Sequence, residues 1–154
     1  MSMQKNVTDS RFGGIDRLYG VGSAARLACA HVAVVGLGGV GSWAAEALAR
    51  SGVGALTLID ADEVCVSNVN RQSHALEGEF GRAKVDVVGA RLRAINPQLR
   101  VQSLAQFVTV GNLEELLGVG YDAVIDACDA LRVKVAMIAF CRRRKIPIVV
   151  SGSA

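Results

Sequence analysis

A glycine-rich segment, Gly36-Leu37-Gly38-Gly39-Val40-Gly41, directly follows an apolar run and precedes a helical pattern. Glycines in such a turn let backbone N–H groups approach a phosphate, and the helix that follows offers its positive N-terminal end. Asp60 ends the next apolar run, 19 residues after Gly41, where a carboxylate meets ribose hydroxyls in dinucleotide folds. The spacing therefore predicts a nucleotide site with Gly36, Gly38, Gly39 and Gly41 at the phosphates and Asp60 at the ribose.

Cationic and amide side chains follow the second apolar run and extend the prediction beyond a dinucleotide. Arg71 lies between amide residues, Asn68 before it and Gln72 directly after it, and its planar fork of donors suits phosphate oxygens. Lys84 stands near the start of a predicted helix, where the helix dipole gives a cation no advantage, so an anionic ligand would explain its position. Two cations beyond the glycine turn favour ATP over NAD, because adenylyl transfer builds charge on the α-phosphate and on pyrophosphate.

Two aspartates, in Asp126-Ala127-Cys128-Asp129, end another apolar run. Carboxylates at the carboxyl ends of parallel strands face the ligand crevice, and Asp129 could hold a Mg²⁺ ion that bridges phosphates. The alternative is a capping role at the start of the next helix, for Asp126 above all.

Short β-rich runs alternate with longer helical patterns and must position these residues. Predicted strands cover 31–35, 55–59, 100–105, 123–126 and 146–150, and predicted helices cover 42–50, 82–95, 113–117 and 133–144. Such alternation is typical of repeated β-α units around a parallel sheet. We therefore predict an α/β fold, a Rossmann-like doubly wound and mainly parallel sheet with helices on both faces.

The chain is divided at its first strand in this prediction. Residues 1–30 form an N-terminal helical segment, and residues 31–154 form a Rossmann-like ATP-binding domain. The connection 60–81 is long for a compact domain, which is typical of a functional loop. Because the sequence stops directly after a predicted strand, we expect a truncated domain that is incomplete at its C-terminus.

Composition excludes several classes of protein. The 154 residues are 51% hydrophobic and carry a net charge of only +3, so an ordered single domain is predicted and no nucleic-acid partner follows from charge alone. No apolar run has the length of a membrane span and residues 1–10 lack a signal-peptide core, which favours a cytoplasmic protein without membrane contact. The four cysteines form no C-x-x-C pair and are interpreted as reduced thiols.

The glycine turn, Asp60, the segment 68–72, Lys84 and Asp129 together resemble the superfamily of ubiquitin-activating and ThiF/MoeB/HesA-like adenylating enzymes. The match is ordered and covers nearly the whole chain. The segments 11–20, 70–76 and 138–147 narrow the resemblance to the branch of tRNA threonylcarbamoyladenosine dehydratases. Asp-Ala-Cys-Asp-Ala at 126–130 replaces the usual Asp-Cys-x-Asp-Asn, which favours this branch over the sulfur-carrier activators.

The resemblance implies ATP and Mg²⁺ as ligands and a homodimer as the assembly. In the family, the aspartate matching Asp60 binds the ATP ribose, the residues matching Arg71 and Lys84 contact phosphates, and the one matching Asp129 serves Mg²⁺. An arginine of the N-terminal segment reaches the ATP of the partner subunit in related dimers, with Arg17 as the better match and Arg11 as the second. The catalytic residues implied are Arg17, Arg71, Lys84 and Asp129.

The resemblance also implies a two-step reaction on tRNA carrying threonylcarbamoyladenosine. ATP activates the threonyl carboxylate as an acyl-adenylate, and a nitrogen of the same modification attacks it, so that a ring closes with loss of water. This needs no cysteine nucleophile, since an intramolecular nucleophile already has a high effective concentration. Two alternatives stay open: an adenylyltransferase for a ubiquitin-like sulfur-carrier protein ending in Gly-Gly, and an inactive nucleotide-binding or dimerisation fragment.

The remaining reactive residues favour structural roles. Cys65 and Cys128 are interpreted as small buried packing residues, His31 and His74 as structural rather than metal ligands, and Trp43 as a packing residue close to the nucleotide. The basic run 142–145 suits the end of a helix, where cations complement the dipole, and its alternative is a phosphate contact with tRNA.

Overall fold

A parallel five-stranded sheet forms the centre of the computed structural model, which describes residues 9–152. Residues 1–8 of the predicted N-terminal segment and residues 153–154 of the predicted nucleotide-binding domain lie outside the described part. The strands, in chain order, are β1 (His31–Val35), β2 (Ala55–Ile59), β3 (Arg100–Leu104), β4 (Ala123–Asp126) and β5 (Ile148–Val150). Their spatial order is β3-β2-β1-β4-β5, and every neighbouring pair is parallel.

Six α-helices accompany the strands in the described residues: α1 (Gly13–Tyr19), α2 (Ser23–Cys29), α3 (Gly41–Arg50), α4 (Lys84–Ile95), α5 (Leu113–Leu117) and α6 (Leu131–Arg144). Both α1 and α2 precede β1, and the carboxylate of Asp16 accepts from the backbone N–H of Ala24 at 2.8 Å, which ties one helix to the other. No helix within residues 9–152 combines the length and the apolarity that crossing a bilayer requires.

Two separate apolar cores cover the two faces of the sheet. Val32 and Val34 of β1 pack with residues of α3 and α4, such as Ala45 and Leu92. Ala33 and Val35, which point to the opposite face because successive strand residues alternate, pack with residues of α5 and α6. Since both faces are buried, β1 and β2 are mostly apolar rather than alternating, with His31 and Thr57 as the exceptions, as expected for a parallel sheet between helical layers. The predicted doubly wound fold is confirmed.

Most boundaries agree with the prediction, and five elements differ from it by one or two residues at one end. Helix α4 begins at Lys84 rather than at residue 82, because Ala83 forms an isolated antiparallel bridge with Glu63. Helix α6 begins two residues earlier than predicted, and β5 begins only at Ile148, after Pro147. Strand β3 is one residue shorter and α3 one residue longer than predicted.

The long connection 60–81 is ordered rather than structureless. It contains a short 3-10 turn, Val66–Asn68. The backbone of Val64 also bonds in both directions, donating to the carbonyl of Arg82 at 2.9 Å and accepting from Gly81 at 2.8 Å. These contacts fix the loop across the carboxyl end of the sheet.

Candidate nucleotide-binding site

The largest concentration of predicted site residues surrounds a cavity of about 440 Å³. It lies at the carboxyl ends of the strands, where chain connections from β1 and β4 leave in opposite directions, the position at which doubly wound sheets bind ligands. Nine predicted residues line it: Gly36, Gly38, Gly39, Asp60, Asn68, Arg71, Gln72, Lys84 and Asp129.

The glycine turn between β1 and α3 requires glycine for steric reasons. Gly36 has φ of 85°, and a Cβ there would lie 2.7 Å from the carbonyl oxygen of Ala127. A Cβ on Gly41 would lie 1.7 Å from the carbonyl oxygen of Gly36, so Gly41 closes the turn from behind and does not line the cavity. The backbone and the start of α3 are therefore open to a phosphate on the cavity side.

Asp60 follows β2 and is fastened to both neighbouring segments. Its carboxylate accepts from the backbone N–H of Leu37 at 2.6 Å and from that of Asp62 at 2.8 Å. Each carboxylate oxygen has a further lone pair, so the group can also accept hydrogen bonds from ribose hydroxyls. The bond to Leu37 means that Asp60 shapes the glycine turn as well as facing the cavity.

Arg71 lies across the opening of the glycine turn. Its Cγ is 3.3 Å from the place a Cβ on Gly39 would take, and its Nη1 donates to the carbonyl of Ser67 and to the side chain of Asn70, each at 3.0 Å. The side chain is exposed, and the rest of the guanidinium fork is available to phosphate oxygens.

Asn68 and Gln72 are buried polar residues beneath Arg71. The side-chain oxygen of Asn68 accepts from the backbone N–H of Cys65 at 3.0 Å, and its carbonyl accepts from the N–H of Gln72 at 2.9 Å. Gln72 lines the cavity, and its Oε1 has no hydrogen-bond partner within residues 9–152. A buried acceptor without a partner costs free energy, so a donor from a ligand fits this position.

Lys84, the first residue of α4, is buried and already paired. Its Nζ lies 3.0 Å from the carboxylate of Asp62, whose side chain is 55% exposed while that of Lys84 is 7% exposed. The position of Lys84 at the start of α4 therefore does not require an anionic ligand, because the carboxylate of Asp62 already faces its ammonium group. Asp62 was not predicted as a site residue, although its place two residues after Asp60 at the end of β2 was a usable signal.

The loop 127–130 after β4 forms one wall of the cavity. Asp129 is exposed and lines the cavity. The suggested capping role of Asp126 is wrong: the N-cap of α6 is Ala130 without a side-chain bond, and Asp126 is fully buried, with its Oδ1 3.0 Å from Nζ of Lys134.

A magnesium ion fits this wall only with help from phosphates. No group of three or more His, Cys, Asp or Glu residues that could hold a metal occurs in the described part of the chain. Mg²⁺ commonly takes one or two carboxylates together with phosphate oxygens and water, which a single Asp129 beside bound ATP would provide.

Burial raises the pKa of the Cys128 thiol to about 11, with Asp126 adding to the effect. A thiol of this kind is protonated at neutral pH and is a poor nucleophile. The interpretation of Cys65 as a buried packing residue is wrong, because Cys65 is exposed on the loop after β2. Cys128 is half-buried.

The predicted arginines of the N-terminal segment lie away from this cavity. Arg17 is exposed on α1, and Arg11 pairs with Asp9. Neither lines the cavity of its own chain. The role of Arg17 at the ATP of a partner subunit therefore stays a prediction.

The other reactive residues have defined surroundings. His31 shares a 2.9 Å hydrogen bond with Thr57, and its ring stands edge-on to Tyr121. His74 is fully buried, and burial, with Lys84 and Arg91 nearby, lowers its pKa to about 4. Within the basic run 142–145, Arg144 pairs with Glu114.

Comparison with known proteins adds to this geometry. The model of the ThiF family matches residues 15–154. The chain belongs to the ThiF family. It is 57% identical over 144 residues to tRNA threonylcarbamoyladenosine dehydratase of Escherichia coli K12, an alignment that covers 94% of this chain and 54% of that protein. It is 37% identical over 125 residues to molybdopterin-synthase adenylyltransferase of Salmonella typhimurium LT2, covering 81% and 49% of the two chains.

A solved structure of the Escherichia coli dehydratase TcdA in complex with ATP superposes with a TM-score of 0.92 at 55% identity, and the match covers 96% of this chain and 63% of that one. The chain thus spans about half the length of the curated relatives that it matches. These matches show the family and the fold.

Proposed function

We propose that this ThiF-family chain binds ATP and Mg²⁺ and adenylates the threonyl carboxylate of threonylcarbamoyladenosine in tRNA, which then cyclises with loss of water. One observation carries the proposal: the glycine turn, Asp60, Arg71, Lys84 and Asp129 line a single cavity at the switch point of the sheet. The 57% identity to a dehydratase against 37% to a molybdopterin-synthase adenylyltransferase supports tRNA over a carrier protein as the substrate.

The cavity supports the assignment of ATP rather than NAD. Cations stand on the side of the glycine turn where a triphosphate would extend: Arg71 lies against Gly39, and Lys84 faces the same cavity. Both can stabilise the negative charge that moves onto pyrophosphate during adenylation. Asp60 holds the turn through Leu37 and accepts from the ribose, and Gln72 offers its buried oxygen to a donor.

In the first step, an oxygen of the substrate carboxylate attacks the α-phosphorus of ATP, and the bond to the bridging oxygen breaks to release pyrophosphate. Arg71 and Lys84 bind phosphate oxygens, and Asp129 is the residue that would hold Mg²⁺. The ion would neutralise charge on the phosphates.

In the second step, a nitrogen of the same modification attacks the activated acyl carbon. AMP leaves with the former carboxylate oxygen, and the nitrogen loses its proton, so the net change in the nucleoside is the loss of water. The residues needed here are those that position and shield the acyl-adenylate. No thiol takes part, which agrees with the raised pKa of Cys128.

The assembly that we propose is a homodimer in the cytoplasm, where its tRNA substrate is found. In this dimer, helices α1 and α2 carry Arg17 towards the ATP of the partner subunit, and the sheet with helices α3 to α6 forms the ATP-binding domain. The exposure of Arg17 and its absence from the cavity lining of its own chain support this division.

The test is a calorimetric titration of the chain with ATP and Mg²⁺ beside NAD⁺, followed by exchange of labelled pyrophosphate into ATP. Exchange is measured with tRNA carrying threonylcarbamoyladenosine, with the same tRNA lacking it, and with a carrier protein ending in Gly-Gly. We expect binding of ATP without binding of NAD⁺, and exchange with the modified tRNA alone.

Each other result contradicts a stated part of the proposal. Preference for NAD⁺ would overturn the adenylating site. Exchange that requires the Gly-Gly carrier would assign the alternative substrate. Binding of ATP without exchange under any of the three conditions would identify a nucleotide-binding module without adenylating activity.

A further inference from the structure

A buried ion pair lies next to the loop 127–130 that lines the cavity, and the reaction proposed above gives it no role. Asp126, the last residue of β4, is fully buried, and Lys134 on α6 is 9% exposed. Their charged atoms lie 3.0 Å apart. Neither residue lines the cavity, so neither touches a ligand there. A charged pair removed from water is costly and is weak evidence for stability, so its presence calls for another explanation.

A single oxygen of Asp126 connects the helix to the loop 127–130. Oδ1 lies 3.0 Å from Nζ of Lys134 and accepts from the backbone N–H of Cys128 at 3.2 Å. The other oxygen, Oδ2, and Nζ of Lys134 have no hydrogen-bond partner within residues 9–152, so the contact between the two side chains is an ion pair and not a hydrogen bond. The position of the Asp126 carboxylate, and with it the N–H of Cys128, therefore depends on the Lys134 charge.

The loop held in this way packs directly on the glycine turn. The carbonyl oxygen of Ala127 lies only 2.7 Å from the place that a Cβ on Gly36 would take. The Cβ of Ala127 lies 3.2 Å from the place that a Cβ on Gly41 would take. Asp129 follows Cys128 and faces the cavity. A shift of Cys128 would therefore move Asp129 relative to the phosphates.

We propose that Lys134 is a positioning residue, which acts through the carboxylate of Asp126 to hold the 127–130 loop so that Asp129 meets the magnesium ion of bound ATP. This inference rests on the proposed function and names a residue that determines its metal dependence. Residues that contact and orient a metal ligand typically change metal affinity by about 10- to 100-fold when they are lost, and Lys134, which acts through Asp126 and the backbone of Cys128, is expected at the lower end of this range.

The test compares Lys134→Met, which keeps the length of the side chain without its charge, with Lys134→Arg, which keeps the charge. Arg132→Met, an exposed cation on the same helix, is the matched control. Because Lys134→Met leaves a buried carboxylate without a counter-charge and can prevent folding, the double variant Asp126→Asn with Lys134→Met removes both charges. Folding of every variant is checked by circular dichroism.

The first measurement is calorimetric: the dissociation constant of ATP with Mg²⁺ and with EDTA. We expect the double variant to bind ATP with Mg²⁺ about tenfold more weakly while its affinity in EDTA changes less than about twofold. Lys134→Arg should recover most of the difference, and Arg132→Met should behave like the unchanged chain.

The second measurement needs no nucleotide: alkylation of each cysteine by iodoacetamide, followed by peptide mass spectrometry. Loss of the Lys134 charge by itself raises the pKa of the Cys128 thiol and slows its alkylation. Faster alkylation of Cys128 in Lys134→Met, or in the double variant relative to Asp126→Asn, therefore supports release of the loop, with unchanged rates at the exposed Cys29 and Cys65. Equal weakening of ATP binding with and without Mg²⁺ would overturn the positioning role, as would unchanged Cys128 reactivity. If the unchanged chain binds no ATP, the proposed function fails first, and the alkylation result then shows separately whether the loop is held.

Discussion

The indole Nε1 of Trp43 donates to the backbone carbonyl of Arg71 at 2.9 Å. This bond joins the first turn of α3 to the loop that carries the predicted phosphate-binding residues. Arg71 also packs against Gly39, so the loop is held between the helix and the glycine turn. Trp43 is thus more than the packing residue that the sequence indicated, since its polar tip fixes the backbone of a site residue.

Trp43 should report on nucleotide binding. It is the only tryptophan of the chain. The residue is 54% exposed, so a nearby ligand can change its fluorescence emission. We expect a saturable change in fluorescence on titration with ATP and Mg²⁺. Trp43→Phe, which removes one hydrogen bond, should weaken ATP binding by about fivefold in calorimetry. ATP binding by calorimetry without any change in emission would contradict this prediction.

Arg71 should contribute to ATP binding and little to stability. Its side chain is exposed and its hydrogen bonds are to neighbours on its own loop, so Arg71→Ala should leave the melting temperature nearly unchanged. Loss of charged hydrogen bonds to phosphates should weaken ATP binding by about tenfold or more. The measurement is calorimetry beside a thermal melt.

Arg82→Ala is the matched control, since Arg82 is another exposed arginine of the region and pairs with Glu79 outside the cavity. Removing it should affect neither ATP binding nor, beyond about 0.5 kcal/mol, stability. A fall in melting temperature for Arg71→Ala with unchanged ATP affinity would instead assign Arg71 a structural role.

The sequence predicted the sheet and the cavity lining because both depend on local signals. Apolar strands, the glycine turn and the polar residues directly after the strands are each readable within a few positions, and β1, β2 and β4 have the predicted bounds. Contacts between side chains of different helices and strands could not be predicted in this way. The contact of Asp126 with Lys134 depends on how α6 is rotated against β4.

The path of the loop after β2 was likewise unreadable from the sequence. Cys65 was expected to be buried because cysteines usually are, yet its loop carries it to the surface. Lys84 was expected to bind an anionic ligand, yet the same loop places the carboxylate of Asp62 beside its ammonium group. Both outcomes depend on the three-dimensional course of 60–81, which the bridge between Glu63 and Ala83 fixes.

Asp62→Asn should strengthen ATP binding. Asp62 lines the cavity and competes with phosphates for the ammonium of Lys84, so removing its charge removes both competition and repulsion. Because Asp62 is 55% exposed, the gain should be modest, about fivefold at low ionic strength, and should shrink as salt is added. Calorimetry at two salt concentrations measures it.

Asp86→Asn is the control, an exposed carboxylate in the same turn of α4 that does not line the cavity. It should leave ATP affinity unchanged. Lys84→Met should weaken ATP binding whether it is combined with Asp62→Asn or with Asp86→Asn. Weaker ATP binding in Asp62→Asn would show that the ion pair holds Lys84 in place for the ligand rather than competing with it.

Stability should fall as pH falls from about 6.5 to about 4, because of His74. Burial, then the charges of Lys84 and Arg91, lowers the pKa of His74 from 6.5 to about 4. Between these values the unfolded chain binds more protons than the folded one, so protons favour unfolding. The contribution of His74 is therefore fully present above pH 6.5 and is lost as pH falls, with a slope of at most about 1.4 kcal/mol per pH unit.

Urea unfolding at a series of pH values, with His74→Gln as the variant, measures this contribution. The variant should lose much of the slope between pH 6.5 and 4.5. Glu46 does not account for it, since its hydrogen bond to Arg91 lowers the pKa of that carboxyl below 4.5 and places its titration at lower pH. The control is His31→Gln. Partial burial, with Arg100 nearby, also lowers the pKa of His31, but the shift is smaller than that of His74, so this variant should keep most of the slope. An unchanged slope in His74→Gln would mean that His74 takes up its proton at the same pH in the folded and the unfolded chain, so that burial and the two cations do not lower its pKa.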